Sequence, residues 1–223
     1  MDFTQGQKRG AVLLKLIASK SKFGLLIGPS GIGKTTMLEA YQNNDQNMTI
    51  YKALYSRSLG DMLSDICELW GLPAHGTNGH KTNRLLKAAK GRFLVVDEAD
   101  QLTRNKDPKH IMRMVETFRY LYDNGAALAL VGLPSIYHDI RAAADTYVFS
   151  RIRYIRNIEP PDNKFLKAVW TQLSEKATID DKVIYSAKYH GYFRYLEELA
   201  DTSKDFGSVE AAIEVMFTKD KQF

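Results

Sequence analysis

Cysteine is nearly absent from this chain: Cys67 is the single one in 223 residues. No intramolecular disulfide can form, so the fold must rest on core packing, which suits a reducing compartment. Cys67 itself lies in the apolar-periodic stretch Met62–Trp70 and reads as core filler rather than as a nucleophile. No apolar run is long enough to span a membrane. Near the N-terminus, Lys15 interrupts the short apolar stretch Val12-Leu13-Leu14, which removes a secretory leader pattern. A cytoplasmic protein is expected. His75, His80, His110, His138 and His190 are scattered without metal-ligand spacing, and no cysteine cluster accompanies them, so no zinc site is expected. Internal repeats and low-complexity tracts are missing as well. Charge is not strongly one-sided: 31 basic against 26 acidic residues leave +5, which permits a polyanionic partner without requiring one.

What is present is an alternation of short apolar runs with helical periodicity. Phe23–Ile27, Met48–Leu54, Arg92–Glu98, Ala126–Gly132 and Tyr154–Ile158 read as strands. Between them, Lys8–Ala18 (apolar Val12, Leu13, Leu16 and Ile17 on one side), Met62–Trp70, a basic segment near Lys81–Lys90, and residues 108–123 read as helices. Strands alternating with helices imply a parallel sheet covered on both faces. From Pro160-Pro161 onward the strand pattern stops and residues 162–217 carry helical periodicity only. The expected organisation is an α/β core over residues 1–158 and a small helical lid over 159–223.

The segment Gly28-Pro29-Ser30-Gly31-Ile32-Gly33-Lys34-Thr35 matches the phosphate-binding loop, G-x-x-x-x-G-K-[ST]. It lies between a strand and the helix that begins Thr35-Thr36-Met37, the context the motif needs. Glycines let the backbone wrap closely around phosphate oxygens. The loop N–H groups and the helix N-terminus point at the anion. Lys34 is placed to reach the outer phosphates and the Thr35 hydroxyl to hold Mg²⁺. A second motif completes the pattern: four apolar residues followed by Asp97-Glu98 at the end of a buried strand. Ligand sites of α/β sheets lie at such strand ends. Asp97 is the expected second metal residue, and Glu98 the base that orients and deprotonates a water. ATP and Mg²⁺ are the expected cofactors.

Together with a later strand, Phe149-Ser150-Arg151-Ile152 and Gly191-Tyr192-Phe193-Arg194, these motifs resemble an AAA+ ATPase over nearly the whole chain. The resemblance implies a P-loop three-layer α/β sandwich with a five-stranded parallel sheet and a C-terminal helical lid. It implies an arginine finger at Arg151, with Arg153 as second candidate, reaching a neighbouring subunit's ATP. It also implies a γ-phosphate sensor at Arg194. The chemistry supports both implied uses, because a guanidinium at a transferring phosphoryl group stabilises transition-state charge. The polar residue usual at the end of the fourth strand is missing, because Val131 is followed by Gly132-Leu133-Pro134. Ser135 is the possible substitute, and slow hydrolysis is expected.

Within that family, Gly28–Thr36, Leu63–Gly71, Val95–Asp100 and Leu130–Pro134 are similar to the transposition regulators of the phage Mu B, TnsC and TniB type. That similarity implies assembly into rings or filaments on duplex DNA, with a transposase as partner. The helix-turn-helix domain of the Mu B protein has no counterpart in the sequence, so binding without site recognition is expected. Between Gln101 and Tyr122 stand Arg104, Lys106, Lys109, Arg113 and Arg119 against Asp107 and Glu116. Thr103, Arg104, Lys106, Lys109 and Arg113 are therefore the expected DNA contacts, through phosphates. Lys81, Arg84, Lys87 and Lys90 form a second basic face, read first as solvated. A helicase loader and a scaffold ATPase without DNA remain the alternatives.

Overall fold

The computed structural model describes residues 3–43, 45, 47–55, 58–105, 107–143, 149–174 and 181–218. These divide into two compact units: one holds Gly6–Gly28 and Lys34–Glu159, the other Pro29–Gly33 and the chain from Pro160 onward.

The first unit is built on five parallel strands, β1 (Phe23–Ile27), β2 (Met48–Lys52), β3 (Phe93–Asp97), β4 (Ala127–Gly132) and β5 (Ile152–Asn157). Their spatial order is β2-β3-β4-β1-β5. Every residue of β3 and β4 is buried, which is why both read as unbroken apolar runs. Among the described residues six α-helices accompany the strands: α1 (Gln5–Ser19), α2 (Lys34–Gln42), α3 (Leu59–Leu69), α4 (Asn78–Ala88), α5 (Pro108–Asp123) and α6 (Ser135–Ala143). Alternate strand residues Phe23, Leu25, Leu94, Val96, Leu128 and Leu130 join the core formed with α3 to α6. The intervening positions face the other side, where Gly24 lets Ile17 of α1 lie directly on the sheet. The sheet is thus covered on both faces, giving the AAA+ P-loop α/β fold.

Local chemistry explains where the helices begin. Ser58 and Asp61 form a reciprocal capping box at the start of α3. Asp107 caps α5, with Pro108 at its first position. The buried face of α1 differs from the expected one. Leu13, Leu14 and Ile17 are inside, while Val12 is 69% and Leu16 37% exposed. Two glycines set this rotation. A side chain at Gly6 would strike the backbone of Glu159, and one at Gly10 would lie 2.7 Å from Met37 Sδ. The helix therefore turns its glycine-bearing stripe inward.

Cys67 is buried in the same core, where desolvation pushes its thiol above the usual range. Lys81 donates to Gly60 O and Ser64 Oγ, and Arg84 to the carbonyls of Pro73 and His75. Both residues brace the α3–α4 connection rather than forming a free basic face.

The second unit contains α7 (Asn163–Ser174), α8 (Asp181–His190), α9 (Phe193–Phe206) and α10 (Val209–Thr218). They close on a core of Leu166, Trp170, Ile184, Leu196, Leu199 and Ala212. No helix among the described residues is long and apolar enough to cross a membrane.

Candidate nucleotide site and basic groove

β1 carries the chain to its C-terminal end, where Gly28 N–H donates to Gly132 O at 3.1 Å and anchors the loop to β4. Ile32, 1% exposed, pins the loop's middle. Gly31 and Gly33 have φ of 73° and 76°, a region that only glycine enters without strain. Lys34 Nζ donates to Gly28 O at 2.9 Å, which holds the ammonium across the loop. Pro29, Ser30 and Thr36 complete the segment, with Ser30 and Thr36 exposed.

Thr35 sits in the first turn of α2 and donates its hydroxyl to Asp97 Oδ2 at 2.7 Å. Asp97 ends β3, is 2% exposed, and accepts the Glu98 N–H on Oδ1 at 2.9 Å. A hydroxyl and a carboxylate oxygen this close can both reach one Mg²⁺ ion. Mg²⁺ commonly takes only one or two protein oxygens and completes its shell with phosphates and water. Among the described residues no group of three or more His, Cys, Asp or Glu could hold a metal alone. The residues present thus fit a magnesium–nucleotide pair.

Glu98 has φ 51° and ψ 37°. For a residue with a Cβ this left-handed conformation is strained, and it turns the side chain away from the strand direction. Its carboxylate meets Lys52 Nζ at 3.1 Å. Lys52 ends β2 directly opposite Asp97 in the strand register. Sequence reasoning overlooked Lys52, because only the β2–β3 pairing makes it a neighbour of Glu98. Asp100 was overlooked as well. Its Oδ1 accepts the Leu133 N–H at 2.9 Å, putting a carboxylate at the mouth of β4. Ser135, considered for that place, begins α6 and is exposed.

In the second unit, Phe193 N–H donates to Gly31 O at 3.1 Å. A side chain at Gly31 would strike the Gly191 carbonyl. Gly191, at φ 112°, and Tyr192, at φ 52°, make the sharp turn that brings the start of α9 to the phosphate loop. Arg194 is the second residue of α9 and is exposed.

Arg151 lies elsewhere. It precedes β5, whose first residue Ile152 is level with Phe23 at the start of β1. The phosphate loop leaves the opposite end of β1, four strand rises or about 13 Å away. Arg151 Nε stands 3.6 Å from Asp123 Oδ1, and Arg119 reaches the same carboxylate at 2.9 Å. Arg153 is exposed on β5.

The basic segment after β3 borders an open groove of about 740 Å³. Its lining includes Tyr55, Ser58, Asn78, Asn105, His110 and Arg113. The N-termini of α3, α4 and α5 all open on it, through Ser58, Asn78 and His110. Their partial positive charges add to that of Arg113. The Arg104 guanidinium lies 5.2 Å over the Tyr55 ring at one side. Arg104, Lys109 and Arg113 are exposed. Thr103 is not a surface residue: it is 1% exposed and donates to Asp139 Oδ2 at 2.8 Å, tying the segment to α6. The side chain that reads as polar and free in sequence is consumed by this buried bond, so Thr103 leaves the set of candidate DNA contacts. Lys106 lies outside the described residues.

An AAA domain family model matches residues 17–139. Among solved structures, Cdc6p from Pyrobaculum aerophilum aligns over 94% of this chain and 65% of its own, with a TM-score of 0.65 and 13% identity. The Aeropyrum pernix ORC1 protein, solved in complex with DNA, aligns over 96% of this chain and 66% of its own, at TM-score 0.63 and 17% identity. AMPPCP-bound DnaA from Aquifex aeolicus covers 99% of this chain and 68% of its own, again at TM-score 0.63 and 17% identity. The chain thus spans just under two thirds of the first two, and at these identities the likeness establishes the fold alone. No curated protein sequence matches. With the family model covering more than half of the chain and the phosphate loop and Asp97-Glu98 inside it, this chain belongs to the AAA domain family.

Proposed function

We propose that this protein is an ATP-hydrolysing switch whose nucleotide state controls its grip on duplex DNA. The observation that carries the reading is the Thr35 hydroxyl held 2.7 Å from the buried Asp97 carboxylate, beside Lys34 in a glycine-built loop. Residues 1–158 serve as the ATPase core and 159–223 as its lid. ATP with Mg²⁺ supplies the transferable phosphoryl group and the charge-neutralising metal. The loop backbone and Lys34 bind the phosphates, and Thr35 and Asp97 hold the metal. Glu98 takes the proton of the attacking water, and Lys52 holds Glu98 back until the pair opens. Arg194 stabilises charge on the outer phosphate from within the chain. Arg151, at the wrong end of its own sheet, acts on a second copy's nucleotide, so the active form is an oligomer. Arg104, Lys109 and Arg113, with the three helix N-termini, contact DNA phosphates without reading sequence.

The similarity of Gly28–Thr36 and Leu63–Gly71 to transposition regulators supports a role in target selection, with a transposase as partner. A replication role as initiator or helicase loader is the second reading, supported by likeness to Cdc6p, ORC1 and DnaA. Fluorescence anisotropy on labelled duplex DNA with ATP, with ADP and without nucleotide tests the shared core. Tight binding only with ATP, retained by Glu98→Gln and lost in Lys34→Ala, supports it. Binding indifferent to nucleotide overturns it. Stimulation by DNA-bound protein of a transposase or of helicase loading then separates the two roles.

A further inference from the structure

Helix α8 presents two tyrosines to solvent, one turn apart. Tyr185 is 71% and Tyr189 78% exposed. Their rings stack at 26° with centroids 6.4 Å apart. His190 extends the row, 5.7 Å from Tyr189 and 5.6 Å from the Tyr195 ring behind it. The other side of the same helix is fully committed to the core through Val183, Ile184 and Ala187. That core and the buried Tyr195 ring fix the helix, so the exposed rings stand on a rigid base.

A single exposed tyrosine needs no explanation. A stacked pair with open faces does, because each ring leaves a large apolar surface in water. The charges around it narrow what covers it. Asp181, one turn before Tyr185, is paired with Lys167 at 2.8 Å, and from Lys182 to Leu196 the sequence has no acidic residue and contains Lys182, Lys188 and Arg194. Lys188 and His190 are exposed beside the rings. Aromatic faces beside an exposed lysine suit a flexible polyanion that carries flat apolar groups. Stacking serves the bases, cations serve the phosphates, and neither demands sequence. Duplex DNA cannot use this surface, since its bases are already stacked.

We infer that the α8 face of Tyr185, Lys188, Tyr189 and His190 binds single-stranded nucleic acid by base stacking. This surface belongs to the second unit and goes beyond the duplex-binding reading. It gives the protein a way to hold an unpaired strand.

The test measures binding of the full chain to labelled oligo-dT and oligo-rU, each longer than a single site of about 4–16 nucleotides. Wild type binds, and the better of the two ligands assigns the strand as DNA or RNA. Tyr185→Ser with Tyr189→Ser weakens binding about tenfold or more, the scale of lost base–aromatic stacking. Tyr185→Phe with Tyr189→Phe restores it, because stacking needs the ring and not the hydroxyl. Lys188→Ala lowers the salt slope by about 0.7, one single-strand phosphate contact. Arg104→Ala with Arg113→Ala leaves oligo-dT binding intact while losing duplex, which separates this surface from the groove. The inference is overturned if wild type binds neither oligonucleotide, or if the serine variant binds as wild type does. It is equally overturned if that variant changes only the sedimentation of the protein, which assigns the rings to a second copy.

Discussion

In the proposed function, the Lys52–Glu98 ion pair restrains the base. It spans 3.1 Å, but the side chains are 58% and 42% exposed, so solvent screens the attraction. Exposed pairs of this kind contribute about 1 kcal/mol at most. The pair can therefore hold the base back without locking it. Lys52→Ala is expected to raise basal ATP hydrolysis by up to about fivefold, the rate equivalent of that energy. A steady-state phosphate-release assay checks this, and a slower variant shows that Lys52 acts on the nucleotide instead. Gly31 poses the opposite case, since no relaxation is at hand. Its φ of 73° and the Gly191 carbonyl in the place of a Cβ both exclude a side chain. Gly31→Ala is expected to abolish binding of a fluorescent ATP analogue, as Lys34→Ala does, and wild-type affinity in that variant would refute the loop geometry described above.

At the scale of elements, the groove beside the segment after β3 collects what no single residue supplies. Three helices begin there, each with a positive end, and Ser58, Thr77 and Asp107 each cap one N–H of their helix. Arg104 and Arg113 add full charges. If each neutralises one duplex phosphate, Arg104→Ala with Arg113→Ala lowers the slope of log affinity against log salt by about 1.8. Titrations on duplex DNA between low and moderate salt measure this, and an unchanged slope removes both residues from the interface. The elements themselves were largely legible. β3 and β4 announce themselves as apolar runs because both faces are covered, and the phosphate loop by its glycines and Lys34-Thr35. What was hidden depends on pairing. Lys52 meets Glu98 only through the β2–β3 register. Arg104 lies over Tyr55 only because the loops after β2 and β3 adjoin. Thr103 reads as a surface polar residue, and its bond to Asp139, 36 positions away, becomes visible only in three dimensions. The face of α1 was misplaced because apolar spacing alone cannot weigh a glycine's close approach against a valine's side chain.

For the whole molecule, the decisive geometry is the separation of Arg151 from its own phosphate loop. The strands run parallel, so the start of β5 and the end of β1 lie at opposite ends of the sheet. Asp123 holds Arg151 at that far end together with Arg119, each by one ion pair. A guanidinium so placed can serve catalysis only across a head-to-tail interface, in which one copy's β5 end meets the next copy's loop. Such heterologous contacts build rings or helical filaments. The consequence is complementation between two inactive proteins. Glu98→Gln keeps the finger and the phosphate loop but loses the base, and Arg151→Ala keeps the loop and the base but loses the finger. Each alone is expected to hydrolyse ATP poorly. Mixed in equal amounts, random assembly creates one interface type with both parts intact, at about a quarter of all interfaces for head-to-tail contacts. The mixture should thus recover about a quarter of wild-type turnover under a heterologous interface. No recovery, with both variants still assembling on DNA by sedimentation, would mean that Arg151 does not complete a shared site, and Arg153 would be the next residue to test in the same way.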